Sequence, residues 1–265
     1  MQEGNAFDYN QALFPGVRVR FLVLSDIHAN HTALEAALGA AEGRWDKAVC
    51  LGDLVGYGPD PNEVVARVRE LGATTIRGNH DKAGCGLDTA EDFNPLARKV
   101  ALWTREKLSA ENITWLKELP AGPLQVDGIS ILHGALKNED EYVFTPAQAL
   151  EGLLEAPTQL NFFGHTHFQG GFSFRDNKLG VIQLRPGAGA SFAALQIEPQ
   201  SRYLINPGSI GQPRDADPRA AFAIADLTHR VIEFWRAPYD VEAVQRRMLE
   251  AELPEPLVLR LGYGR

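Results

Sequence analysis

Short apolar runs that end in polar residues recur along this chain. The first, VRFLVLSDIH at 19–28, stays almost continuously apolar until it reaches an acid and a histidine. Runs of this kind are typical of strands that are buried on both faces. The same pattern returns at 47–53, 74–81, 129–134, 160–167 and 203–209. We therefore expect six strands, each followed by polar residues.

Amphipathic segments with recognisable start signals lie between these strands. Asn30 precedes an apolar stripe and is predicted to cap a helix, and Asp60, followed by proline, is predicted to cap the next. Asn94 and Thr145, each also followed by proline, are predicted to open two more helices. Strand and helix alternate over the first 80 residues, which predicts right-handed βαβ units and a largely parallel sheet.

Beyond about residue 168 the pattern changes to strands joined by tight turns. Asp176 and Asn177 lie between two such strands, and 220–237 is typical of an antiparallel pair. An amphipathic helix is predicted from Asp240 to about Glu252. We expect two stacked sheets in one domain, with helices on the outer faces.

Composition narrows the class of protein. An apolar content of 45% allows a substantial core, and no apolar run reaches the length of a membrane span. Cys50 and Cys85 are too few for a disulfide framework, which favours a reducing cytoplasm. A net charge of -8 disfavours a protein whose main function is to bind the nucleic-acid backbone. It does not exclude a nuclease, because bound metal ions would add local positive charge. No feature predicts an oligomeric state.

Two histidines follow the apolar run LNFF. His165 and His167 are two positions apart, so in an extended segment both rings lie on one face and reach one point. This geometry suits a metal ion better than two separate interior histidines. Further candidate ligands follow the other runs, at the strand ends where open α/β sheets bind ligands. The candidate set is Asp26, His28, Asp53, Asn79, His133, His165 and His167.

The donor types and their number indicate the kind of centre. Nitrogen and oxygen donors without thiolate favour Mn, Fe, Zn, Co or Ni over a cysteine-based zinc site. Seven ligands are too many for one ion with open positions. They suit two ions with one carboxylate between them.

Five groups of residues resemble, in order and spacing, the motifs of the calcineurin-like metallophosphoesterase superfamily. They are Asp26-Ile-His28, Gly52-Asp53, Gly78-Asn79-His80-Asp81, His133 and Gly164-His165-Thr166-His167. The resemblance covers about residues 20–210, and 203–215 looks like the small bacterial and archaeal phosphodiesterase branch. It implies an α/β (α+β) fold, a four-layer αββα sandwich of two mixed sheets flanked by helices.

The resemblance also implies a role for each ligand. Asp26, His28 and His167 would hold one divalent ion, Asn79, His133 and His165 the second, and Asp53 would bridge them. Mn²⁺ is expected, with Fe, Zn, Ni or Co as alternatives. His80 matches the family's non-ligand histidine, and Asp81 matches its partner. A hydroxide between the ions would attack phosphorus while His80, held by Asp81, protonates the leaving oxygen. A structural role is the alternative for His80.

Substrate preference is predicted from the residues beside this set. Relatives that act on phosphoproteins carry arginine where Tyr57 stands, so the uncharged phenol favours a diester over a dianionic monoester. Asn206, Ser209 and Arg214 are candidate substrate-binding residues, unless the Pro-Gly-Ser segment is only a turn. The expected substrate is small, phosphorylated and nucleotide-like.

Other functions remain open on the same sequence. A phosphomonoesterase, a nucleotide pyrophosphatase and a nuclease would share the same centre, and some relatives are non-catalytic scaffolds. All seven ligand positions are filled here, which favours an enzyme. We predict an arm at 1–17 and one domain at 18–265, with a helical segment covering the site at 83–119 and a hairpin insertion at 168–200.

Overall fold

Two mixed sheets pack face to face in the computed structural model, which describes residues 19–187 and 189–265. The first sheet runs in the order β3 (Thr74–Thr75), β2 (Lys47–Cys50), β1 (Arg20–Leu24), β11 (Ala220–Asp226), β12 (Val231–Ala237) and β9 (Phe192–Gln196). The second runs in the order β4 (Leu124–Val126), β5 (Ile129–Ile131), β6 (Leu160–Phe162), β10 (Arg202–Asn206), β7 (Gly170–Arg175) and β8 (Lys178–Ile182). The predicted arm at 1–17 lies outside the described residues.

Eight helices flank the two sheets in the described ranges. They are α1 (His31–Ala40), α2 (Pro61–Glu70), α3 (Asn79–Cys85), α4 (Pro95–Lys107), α5 (Ala110–Glu118), α6 (Pro146–Glu155), α7 (Val241–Glu250) and α8 (Glu255–Tyr263). Apolar residues of α1, α2 and α5 pack on the first sheet, and those of α6 pack on the second. The predicted αββα sandwich is therefore confirmed. None of the helices in the described ranges has the length and apolarity needed to span a bilayer.

Strand β1 shows why its sequence is apolar at successive positions. Phe21 and Val23 join the core between the two sheets, whereas Leu22 and Leu24 join the core beneath the helices. All four side chains are fully buried because adjacent strand residues point to opposite faces. The run of apolar residues thus corresponds to a strand covered on both sides.

All four predicted helix starts are confirmed, and three of the four cap residues form the expected side-chain hydrogen bonds. Asn30, Asn94 and Thr145 each accept hydrogen bonds from backbone amides of the helix that follows. Asp60 makes no such bond. Its carboxylate instead lies 2.8 Å from the guanidinium of Arg247 in α7. An ion pair to a distant helix thus replaces the local capping bond. Strand β4 and helices α3 and α8 are additional to the predicted elements.

The segment at 168–200 divides between the two sheets. Strands β7 and β8 form a hairpin that turns at Asp176 and Asn177, both of which have positive φ. Strand β9, however, pairs with β12 at the edge of the first sheet. The predicted hairpin therefore involves only the first part of this segment.

Two sets of parallel strands point their carboxyl ends toward one edge of the sandwich. Strands β1, β2 and β3 are parallel in the first sheet, as are β5, β6 and β10 in the second. Hydrogen bonds join the loops that follow them: the amide of Asp26 donates to Gly52, and the amide of His165 donates to the Asp26 carboxylate. This edge collects the candidate ligands.

Candidate metal centre and active site

Six of the seven predicted ligands form two adjacent groups of donor atoms. The first contains Asp26, His28, Asp53 and His167, and the second contains Asp53, His133 and His165; within each group the donor atoms lie within 4.8 Å of one another. Asp53 belongs to both groups, with Oδ2 lying 3.6 Å from His28 Nε2 and 3.5 Å from His133 Nε2. Asn79 Oδ1 lies 3.2 Å from His133 Nε2, beside the second group.

Hydrogen bonds orient the imidazole rings toward these groups. The Nδ1 atoms of His28, His133 and His167 lie 3.0, 2.8 and 2.6 Å from backbone carbonyl oxygens. A ring that donates from Nδ1 turns the lone pair of Nε2 toward a ligand, as in many metal sites. In His165 the two ring nitrogens exchange these roles. Its Nε2 lies 3.1 Å from the Asp140 carbonyl oxygen, so its Nδ1 is the nitrogen that can face the donor group.

Two imidazole nitrogens that face each other also favour a cation at this site. His28 Nε2 and His167 Nε2 lie 3.1 Å apart, and both Nδ1 protons are already donated elsewhere. Two lone pairs at this distance repel each other unless a cation lies between them. The donor set of imidazoles and carboxylates, without thiolate, fits a divalent transition metal.

Backbone strain is concentrated at the ligands. Five of them adopt positive φ, a region that costs a non-glycine residue about 1–3 kcal/mol. They are Asp26, His28, Asp53, His165 and His167. A left-handed residue after a strand turns the chain sharply, which aims the side chain into the edge of the sandwich. Strain of this kind is common at functional sites.

The glycines that precede two ligands are required by close packing. A Cβ at Gly78 would lie 2.2 Å from Asp53 Oδ1, and one at Gly164 would lie 2.2 Å from Ser25 Oγ. Ser25 Oγ in turn donates to Asp26 Oδ2 at 2.6 Å. Glycine at these positions lets the loops of the two sheets approach the carboxylates.

Neighbouring histidines keep the two buried carboxylates, Asp26 and Asp53, ionised. Burial by itself raises the pKa of Asp26 and of Asp53, but neighbouring histidines hold both pKa values well below the usual range. Burial lowers the pKa of His165 to about 3 and also lowers that of His28. Burial opposes protonation of His133 too, yet Asp53 raises its pKa to about 10. A metal ion would replace that proton beside Asp53.

His80 lies at the rim of the first group rather than in it. Its backbone amide donates to Asp53 Oδ1 at 2.8 Å, and its ring centre lies 4.4 Å from that of Tyr57 and 4.9 Å from that of Phe93. The ring Nδ1 is buried without a hydrogen-bond partner. Burial lowers the pKa of His80 to about 4, so the ring is neutral at pH 7.

Asp81 does not hold His80, and this part of the prediction is wrong. Its two carboxylate oxygens accept backbone amides at 2.8–3.2 Å, from Asp53, Leu54, Val55 and Gly78. Burial and the charge of Asp53 raise the pKa of Asp81 to about 7, although the amides lower it. Asp81 sits in the first turn of α3, next to the ligand loop, so its short side chain reaches that loop and not the His80 ring.

Two of the predicted substrate-binding residues hold loops instead. Asn206 donates to the Gly164 carbonyl at 2.9 Å and to Thr166 Oγ1 at 3.0 Å. Ser209 Oγ donates to the Asp26 carbonyl at 2.7 Å. Both side chains are fully buried, so the alternative of a structural turn describes them better.

Tyr57 and Arg214 lie beside each other at the rim. The Arg214 guanidinium lies 5.8 Å from the centre of the Tyr57 ring, and its Nε is buried without a hydrogen-bond partner. The Tyr57 ring centre is 4.7 Å from that of His28. Both residues are therefore close enough to the ligands to meet a bound substrate.

A cavity of about 310 Å³ opens beside the ligands. It is lined by Tyr57, Asn79, His80, Asp88, Asp92, Phe93, Asn94, Ala97, Asp140, Tyr142 and His165. From the segment at 83–119, only the loop from Asp88 and the first turn of α4 line it, because α5 packs against α2 and α3. Asp140 and Tyr142 are absent from the predicted set, since the loop that carries them has no apolar periodicity to indicate its position.

Comparison with known proteins decides the family. A family model described as the calcineurin-like phosphoesterase superfamily domain matches residues 19–230. The chain belongs to this superfamily. The calcineurin-like phosphoesterase fold implies a metal-dependent phosphoester hydrolase, which agrees with the two ligand groups.

Proteins similar to this chain come from bacteria and archaea. The chain is 32% identical over 253 residues to an uncharacterized protein of Methanocaldococcus jannaschii, covering 94% of this chain and 100% of the relative. It is 38% identical to a metallophosphoesterase from Sphaerobacter thermophilus, with a TM-score of 0.81 over 94% of this chain and 100% of that one. A hypothetical protein from Pyrococcus horikoshii shares the fold at 21% identity, with a TM-score of 0.74 over 93% and 99% of the two chains.

Proposed function

We propose that this phosphoesterase hydrolyses phosphodiesters at a centre of two divalent transition metal ions, with Mn²⁺ as the expected metal. Asp26, His28 and His167 would hold one ion, Asn79, His133 and His165 the other, and Asp53 would lie between them. The position of Asp53 in both donor groups supports this arrangement. When bound, two such ions attract phosphate and supply a hydroxide nucleophile near neutral pH.

The protein's own residues then act on the leaving group. His80 stands at the rim of the cavity, where its ring can donate a proton to the leaving oxygen. Its low pKa means that the ring gains this proton only when the negative charge of a bound phosphate raises that pKa. Asp81 keeps the ligand loop in place through the four backbone amides that it accepts.

The preference for a diester rests on the charges that line the cavity. Asp88, Asp92 and Asp140 line it together with the uncharged Tyr57, and none of the lining residues is arginine or lysine. A monoester dianion would meet more repulsion here than a diester with one negative charge. A diester also brings a second bulky group, which the aromatic rings of the cavity can accommodate.

The experiment compares two esters with the same leaving group. With saturating Mn²⁺, kcat/KM for methyl nitrophenyl phosphate should exceed that for nitrophenyl phosphate about tenfold. Tyr57→Arg should move the ratio toward the monoester, because a guanidinium binds the extra charge. Tyr263→Arg, at a residue that is 68% exposed, is the matched control. A monoester preference above tenfold in the wild type would reject the diesterase assignment and leave the metal centre intact.

Hydrolysis of monoesters or pyrophosphates at the same centre is the second candidate. Arg214 is the observation that favours it, because its buried Nε has no partner and lies next to Tyr57. Arg214→Gln would then reduce kcat/KM for the monoester more than for the diester. A scaffold role is disfavoured, since every ligand position is filled.

A further inference from the structure

A strip of aromatic rings leads outward from the candidate ligand His165. The ring of Tyr142 stacks on His165 with centres 3.8 Å apart and planes inclined by 12°. Phe144 stacks on Tyr142 at 5.2 Å, and Phe168 meets Phe144 edge-on at 6.1 Å. We call Tyr142, Phe144 and Phe168 the aromatic strip.

The rings of the strip are exposed rather than packed in a core. Tyr142 is 40% exposed, Phe144 54% and Phe168 42%. By contrast, Phe163 and Phe172 lie in the cluster beneath α6 and are almost completely buried. Because large apolar rings gain stability from burial, three exposed rings in contact indicate a surface that another flat group can cover.

Ion pairs and close packing anchor the loop that carries Tyr142. Lys82 Nζ lies 2.9 Å from the Glu139 carboxylate and 2.6 Å from that of Asp140. The Asp140 carbonyl contacts His165 Nε2, and a Cβ at Gly134 would lie 2.6 Å from two carbonyl oxygens of the same loop. The strip is therefore in position before a substrate arrives, which reduces the entropy lost on binding.

The aromatic strip meets the cavity beside the two donor groups at Tyr142. Tyr142 lines that cavity together with Asp88 and Asp92, and Phe168 directly follows the candidate ligand His167. A phosphate at the metal groups would thus place its second substituent between the carboxylates and the strip. Carboxylates accept hydrogen bonds from hydroxyl groups and repel a further phosphate.

We propose that the aromatic strip stacks the base of a nucleoside phosphodiester, with the sugar hydroxyls facing Asp88 and Asp92. The proposal rests on the diesterase function above and names its substrate class. Base–aromatic stacking suits every nucleobase because each has a flat π-face, so it selects a nucleoside without selecting a sequence. The phosphate of a plain alkyl diester would bind at the two donor groups, but its alkyl substituent would leave the aromatic strip uncovered.

The first test compares two diesters that share a nitrophenolate leaving group and one negative charge. In the wild type, kcat/KM should be about tenfold higher for the thymidine 5′-nitrophenyl diester than for the methyl nitrophenyl diester. Phe144→Ala should reduce this ratio about 5- to 10-fold, to near unity, which is at the lower end of the range for loss of one base–aromatic contact. Phe144→Trp should restore it. An equal kcat/KM for the two esters in the wild type would overturn the proposal.

The control uses an exposed phenylalanine in the other sheet. Phe192 is 40% exposed and stacks on Trp235 at 4.8 Å, so Phe192→Ala removes a similar ring that does not line the cavity. It should leave the ratio of the two esters unaltered. A ratio that changes equally in the Phe144 and Phe192 variants would overturn the specific role of the strip.

A binding measurement separates this proposal from the diesterase function. Adenosine 5′-monophosphate and ribose 5-phosphate carry the same phosphate, but only the first has a base. Calorimetry with the Mn²⁺-loaded protein should give at least tenfold tighter binding of the nucleotide, and Phe144→Ala should abolish the difference. Equal affinities overturn the strip proposal. If neither diester is hydrolysed but the nucleotide still binds more tightly, the diesterase function fails and the stacking site stands.

Discussion

His28 Nε2 and His167 Nε2 lie 3.1 Å apart, although 139 residues separate them in the chain. Each ring uses its Nδ1 proton for a backbone carbonyl, so both lone pairs point into the same space. The two rings come from loops after β1 and β6, strands of different sheets. The first donor group therefore forms only where the two sheets meet, and neither loop could form it alone.

Loss of Asp53 should remove both metal ions. Asp53→Asn takes away the charge that the two donor groups share, whereas His167→Ala removes a ligand of one group only. After dialysis against Mn²⁺, elemental analysis should give about two ions per wild-type chain, fewer than half an ion in Asp53→Asn and about one in His167→Ala. His229→Ala, at a side chain that is 75% exposed, should retain both. Full occupancy in Asp53→Asn would contradict the shared role.

Chelation of the metal should destabilise the fold. The ligands come from both sheets, and bound ions would screen the buried Asp26 and Asp53 carboxylates from each other. A ligand present at 100 times its dissociation constant stabilises the folded state by about 2.7 kcal/mol. We expect a fall in Tm of several degrees with EDTA and recovery with excess Mn²⁺, measured by calorimetry. The shift should vanish in Asp53→Asn; an identical shift there would assign it to another site.

Replacement of His80 should affect turnover and not metal content. His80→Ala removes the proposed proton donor and should lower kcat about 10²- to 10⁴-fold for an ester with an alkoxide leaving group. Nitrophenolate needs little protonation, so its hydrolysis should fall less. His31→Ala, at a half-exposed residue of α1, is the control. Equal losses with both leaving groups would indicate that His80 only shapes the site.

Asp81 should contribute to stability through the amides that it accepts. Asp81→Ala leaves four backbone N–H groups around the ligand loop without their acceptor and should lower the free energy of unfolding by about 3–5 kcal/mol. Asp81→Asn keeps one acceptor oxygen and should lose less. Urea denaturation with chelator present measures the effect apart from metal binding. Glu118→Ala, at an exposed residue, is the control, and a loss below 1 kcal/mol in Asp81→Ala would contradict this role.

Glu139 should make stability depend on pH in the acid range. Burial raises the pKa of this carboxylate, but Arg77 and Lys82 outweigh burial and lower it. Because the folded pKa lies below the unfolded value of about 4.3, this stabilisation is present above that value and is lost as pH falls through the folded pKa. Glu139→Gln should cost about 1 kcal/mol at pH 6 and progressively less below pH 4. Urea unfolding at a series of pH values measures this; Glu42→Gln, on the surface, should show no such trend.

Local signals account for what could be predicted from the sequence by itself. The apolar runs predict the strands that precede the ligands, because burial on both faces requires apolar residues at successive positions. Asn30, Asn94 and Thr145 mark helix starts because a cap bonds to amides only two or three residues away. Resemblance to a known family supplied the grouping of the ligands, since their order and spacing recur in that family.

Only the tertiary structure decided which distant groups pair. Asp60 has the sequence of a cap but forms an ion pair with Arg247, and Asp81 accepts amides from the neighbouring loop instead of holding His80. Tyr142 stacks on His165, although nothing in its own loop indicates an aromatic partner. These contacts depend on how the two sheets and the outer helices pack. A sequence pattern records burial and hydrogen bonding within a few residues, whereas contacts between distant segments follow from the packed chain as a whole.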